Sequence, residues 1–77
     1  MRSEELNIAF EAIEELDRAD KKHGAMAEMV EGLYTLRCEV MELAREVHRK
    51  NNNTDAMRRE AIQCAAMAIK FVRDCCR

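Results

Sequence analysis

Apolar positions recur at steps of three and four along almost the whole chain, a period that belongs to amphipathic helices. In the first segment Leu6, Phe10, Ile13 and Leu16 form one stripe, which predicts a helix over about 3–22. Ser3 suits its N-cap, with Glu4 and Glu5 favourable in the first turn. Lys21, Lys22 and His23 suit its last turn, and Gly24 suits the left-handed residue that stops it. A second helix is predicted over about 26–50. Its seam runs through Met26, Met29 or Val30, Leu33, Leu36, Val40, Leu43 and Val47. Gly32 interrupts this seam and reads as a helix start or bend, at about 1 kcal/mol relative to Ala. The alternative is a close backbone approach by a neighbouring helix or ligand. Asn51, Asn52 and Asn53 form the clear loop. Asn53 or Thr54 then caps a third helix over about 55–75, carrying Met57, Ala61, Cys64, Ala68, Phe71 or Val72, and Cys75.

The pattern predicts one all-α domain over residues 1–77, with three antiparallel helices forming a helical bundle. The short loop makes the second and third helices antiparallel neighbours. With 77 residues, the chain buries a modest share of its surface, so a homo-oligomer, dimer or tetramer, is expected to complete the core. No Pro and two Gly leave few helix breakers, and three aromatic residues are too few for a base-stacking surface. A net charge of −2 excludes the basic field of a nucleic-acid binder. No apolar run reaches membrane-spanning length, and Met-Arg-Ser-Glu-Glu lacks an apolar signal core, so the expectation is a cytoplasmic protein. Cys38, Cys64, Cys75 and Cys76 lack metal-ligand spacing. The first two read as small buried hydrophobes and the last two as free thiols, with Arg73 and Arg77 as their nearby cations.

Chemistry enters through carboxylates. Glu39, Glu42 and Glu46 share one side of the second helix, with roughly 5–6 Å between neighbouring Cβ atoms. Counted outward from the Asn loop at ~1.5 Å per residue, Glu60 lies within one turn in height of Glu42 and Glu46. Such a cluster suits Mg²⁺, a hard cation that takes oxygen ligands and keeps positions for phosphate and water. The competing reading is a solvated acidic flank paired with Arg37, Arg45, Lys50, Arg58 and Arg59.

Three stretches carry a resemblance. They are Arg18-Ala-Asp-Lys-Lys-His-Gly24, the run Glu31-Gly-Leu-Tyr-Thr-Leu-Arg-Cys-Glu-Val-Met-Glu-Leu-Ala-Arg-Glu-Val47, and Arg58-Arg-Glu-Ala-Ile-Gln-Cys-Ala-Ala-Met-Ala-Ile-Lys-Phe71. Together they resemble the short MazG-like proteins of the all-α nucleoside triphosphate pyrophosphohydrolase superfamily, over most of the chain from Arg18 onward. The resemblance implies an all-helical, oligomeric fold. It also implies Mg²⁺-dependent hydrolysis of a nucleoside triphosphate to monophosphate and pyrophosphate. The family pattern is Glu-Glu-x-x-Glu on one helix and Glu-x-x-Asp on the next. Here it becomes Cys38-Glu39-x-x-Glu42 and Glu60-x-x-Gln63. Glu39, Glu42 and Glu60 match as metal-holding and catalytic residues. Gln63 stands at a ligand position as a neutral amide, and Cys38 replaces a carboxylate with a soft donor ill suited to Mg²⁺. Arg58 and Arg59 are candidate phosphate contacts, or exposed partners of Glu46 or Glu60.

Three functions compete on these grounds: the pyrophosphohydrolase, weakened by an incomplete carboxylate set; a non-catalytic helical oligomerisation or interaction module; and a nucleotide-binding regulator. His23 reads as a helix-end residue rather than a base, His48 as exposed, and Met26, Met29, Met41, Met57 and Met67 as core filler.

Overall fold

A computed structural model describes residues 3–76. Three helices make up the architecture: α1 (Ser3–His23), α2 (Met29–Val47) and α3 (Thr54–Cys75). Among the described residues no strand occurs. Ser3 is the first helical residue of α1, and Arg77 lies outside the described residues.

The helix ends follow from local chemistry. Gly24 adopts φ +73° and its N–H donates to the Asp20 carbonyl at 2.8 Å, closing α1 as its sequence position predicts. Asn53, rather than Thr54, caps α3: its side chain accepts from the N–H groups of Asp55 and Ala56 at 2.9 and 3.3 Å. α2 is shorter than the 26–50 span its seam predicts. At the front, the Met26 N–H is taken by Asp74 Oδ2 at 2.9 Å, and Glu28 is extended, so the helix starts at Met29. At the back, His48 closes the helix, its N–H donating to the Ala44 carbonyl at 3.0 Å.

α3 is the middle helix. α1 and α2 both pack on it and not on each other. Contacts of Glu11 with Arg58 and Asp20 with Arg73 run α1 parallel to α3, while α2 runs antiparallel to it. Gly32 is buried in the first turn of α2, where a Cβ would stand 3.0 Å from Met26 Sδ and from the Phe71 ring. The glycine thus stands near the helix start, as its position predicts, and also serves the close approach of α3.

The apolar stripes do not all face inward. The core consists of Ala12, Leu16, Ala66 and Met67, with Ala19, Met26 and Leu36 packed against it. Of the α1 stripe only Leu16 is buried; Leu6, Phe10 and Ile13 are exposed, because α1 meets α3 through its alanines. Met29 and Met41 are likewise exposed rather than core filler. Among the described residues no helix is long and apolar enough to cross a membrane.

A charge cluster, part-buried around the buried Lys70, joins the ends of α1 and α3. Lys70 is 3 % exposed, yet its Nζ donates to the Gly24 carbonyl and lies 3.3 Å from Asp20 Oδ1. Arg73 grips Asp20 with two hydrogen bonds of 2.8 and 2.9 Å and also donates to Asp74. These partners hold the Asp20 and Asp74 carboxyls down at about 2, the Arg73 guanidinium being the largest cause in both.

Candidate metal centre

The antiparallel register of α2 and α3 sets acidic residues of the two helices against each other near the Asn loop. One carboxylate oxygen from each of Glu39, Glu42 and Glu60 lies within 4.8 Å of the other two. Two of the three come from one helix face at i, i+3, and the third crosses from α3. Glu39 and Glu60 are partly buried. Glu46 does not join them: it pairs with Arg49 at 3.3 Å across one turn.

No cation among the described residues forms an ion pair with this trio. Arg58 binds Glu11 of α1, away from both Glu46 and Glu60. Arg59 stands near enough to Glu60 to oppose its neighbours electrostatically. With Arg58 and Arg18 it lines a separate cleft of about 420 Å³ whose other walls include Glu11, Glu14 and Glu15. The two candidate phosphate residues therefore face a mixed-charge groove beside the trio.

The electrostatics follow from crowding. Burial, then repulsion from Glu42 and Glu60, pushes the Glu39 carboxyl above the ordinary glutamate range. Glu60 is raised in the same way, by burial first and Glu42 next. The Cys64 thiol is pushed up by burial and by the same three carboxylates, so it is an unreactive neighbour rather than a thiolate. Cys38, Cys64 and Cys75 are partly buried free thiols, and Cys76 is an exposed one. The first two are thus less buried than small core residues.

Gln63 lies between Glu39 and Glu60. With its amide turned to satisfy both ends, its nitrogen donates to Glu39 at 2.9 Å and to Glu60 at 3.2 Å. It borders a cleft of about 240 Å³ between α1 and α2, floored by Met67 and edged by Glu39, Thr35 and His23. His23 is both the last residue of α1 and a wall of this cleft. His48 is exposed at the end of α2.

The donor set fits a hard divalent ion. Octahedral Mg²⁺ at about 2.0–2.1 Å places oxygens roughly 3–4 Å apart, so the trio needs only a small contraction around it. Three carboxylates also supply the negative charge such an ion requires. The whole chain offers no comparison to lean on: no family model, curated protein or solved structure matches it. The chemistry therefore stands on the described residues alone.

Proposed function

We propose that the chain holds a divalent cation through Glu39, Glu42 and Glu60. On this reading it acts as a MazG-like pyrophosphohydrolase, cleaving a nucleoside triphosphate to monophosphate and pyrophosphate. The observation that carries the proposal is the meeting of three carboxylates from two helices, none of them in an ion pair among the described residues. Charge gathered at such a cost in repulsion has a use where a cation relieves it. When bound, Mg²⁺ supplies charge screening for the phosphates and a lowered pKa for an attacking water. The chain supplies the frame: α2 and α3 fix the carboxylates, and Gln63 orients Glu39 and Glu60 by donating to both.

A second reading has its own observation. Gln63 already ties two of the carboxylates together, and Cys38 adds no charge. A site closed by its own amide suits a helical interaction module that retains the scaffold without turnover.

Calorimetric titration with Mg²⁺ and Mn²⁺, followed by pyrophosphate release from a panel of nucleoside triphosphates, separates the two. Saturable metal binding and pyrophosphate release, both lost in Glu42→Gln, are expected. Metal binding without product at high protein concentration supports the module. Absence of metal binding overturns the site itself.

A further inference from the structure

We infer that the Gln63 amide is a built-in competitor for the cation: it donates to the carboxylate site and has to turn over before a divalent ion can enter. This rests on the metal reading of the trio and deepens it.

The geometry puts the amide where the competition takes place. The Gln63 nitrogen donates to Glu39 at 2.9 Å and to Glu60 at 3.2 Å, one glutamate from each helix. Glu42 in turn lies within hydrogen-bonding reach of both. An ionised carboxylate only accepts, so the nitrogen end of the amide, with its two N–H bonds, is the end that the glutamates hold. Hydrogen bonds to a charged acceptor are roughly twice as strong as neutral ones. The amide therefore supplies, without a net charge, part of the neutralisation that a cation would bring.

The same bonds oppose a cation. They use lone pairs of Glu39 and Glu60 that a hard ion needs, and an amide nitrogen with both hydrogens in place has no lone pair to give it. Both hydrogen bonds must break before the site fills. The way out lies in the same group. A half-turn about the terminal bond of the side chain exchanges nitrogen for carbonyl oxygen without changing its outline, and that torsion is soft. Turned over, Gln63 presents an oxygen, the donor type that a hard cation takes. An ionised carboxylate at position 63 would have no such pair of states, because it never donates. Gln63 thereby sets a threshold: an ion that gains less from the trio than the amide does leaves the side chain where it stands.

Calorimetric titration of the full chain with Mg²⁺ and with Mn²⁺ tests this, wild type against Gln63→Leu and Gln63→Met. Both substitutions remove the competitor, and water replaces the one neutral oxygen that is lost, since Mg²⁺ commonly keeps several waters. The expected result is about tenfold tighter binding in the variants, the equivalent of about one such hydrogen bond. In two-dimensional NMR of the wild type, the Gln63 side-chain N–H₂ pair, assigned by its absence in Gln63→Leu, is expected to shift with the same Mg²⁺ midpoint as the calorimetry. Equal or weaker binding in both variants overturns the inference and leaves the metal reading standing. So does an N–H₂ pair that saturating Mg²⁺ leaves unmoved. Binding by none of the three proteins overturns both.

Discussion

Two groups of carboxylates flank α3, and they are built on opposite terms. At the C-terminal end, Asp20 and Asp74 sit against Arg73 and Lys70, and every charge finds a protein partner. On the opposite side of α3, toward α2, Glu39, Glu42 and Glu60 gather without an ion pair among the described residues. The first group lowers the carboxyl pKa values, the second raises them. The same element thus carries a finished electrostatic site that ties the chain together and an open one whose carboxylates form no ion pair among the described residues. Being acidic is shared by both groups; the presence or absence of a counter-charge separates structure from candidate chemistry.

The sharpest way to break this contrast is to open the finished site. Lys70→Met keeps the bulk but leaves the Gly24 carbonyl without its donor and removes one partner of Asp20. A part-buried acceptor left unpaired costs about 1–2 kcal/mol. For a domain of this size that lowers the melting temperature by roughly 10 °C. Thermal unfolding by circular dichroism checks it. An unchanged midpoint would mean that desolvating Lys70 costs as much as its contacts return, and the contrast would lose its structural half.

That network was also the part hardest to read from sequence. Lys70 lies 46 residues from Gly24 and 50 from Asp20, and a lysine within a helix ordinarily signals solvent. Its burial depends on a carbonyl freed by the end of another helix, which no local pattern encodes. The helices themselves were legible because three-and-four periodicity, caps and Gly24 are local signals. Their inward faces were less so. Leu6, Phe10 and Ile13 make the stronger stripe of α1, but the alanines beside Leu16 let α1 lie close to α3. Of the carboxylates, Glu42 and Glu60 were legible from counting outward from the Asn loop, and Glu39 from sharing a side of the second helix with Glu42. Glu46, counted to the same height, turns instead to Arg49, since helix height fixes the level of a side chain and not its choice of partner. Gln63 was read as a neutral substitute for a ligand; that it bridges two glutamates required the register of both helices.

Acid titration sharpens the contrast through its sign. Raised carboxyls disfavour the folded state once ionised, so Glu39 and Glu60 cost stability at neutral pH. That cost is relieved as pH falls into and just above the ordinary glutamate range. Depressed carboxyls act the other way. Asp20 and Asp74 contribute stability above their ordinary value of 3.8, and it is lost as pH falls toward about 2. Without divalent metal, the melting temperature is therefore expected to rise on mild acidification and to fall on strong acidification. Glu42→Gln flattens the first limb and leaves the second. At neutral pH it stabilises the metal-free protein by roughly 0.3–0.5 kcal/mol, the scale of one like-charge pair on a helix. A destabilising Glu42→Gln in the absence of metal would show that the trio is already compensated.

The smallest effect belongs to the exposed pair between Arg58 and Glu11, whose side chains are each 46 % accessible. Water screens it, so Arg58→Gln is expected to cost about 0.5 kcal/mol and to cost less in high salt. Circular-dichroism melts at low and high ionic strength check this. The result bears on Arg58 as a phosphate contact as well. An arginine held weakly by one exposed carboxylate can exchange that partner for a phosphate at little expense. A loss near that of Lys70→Met would instead make Arg58 a structural tie between α1 and α3. Of the two candidate phosphate contacts in the mixed-charge cleft, Arg59 alone would then remain.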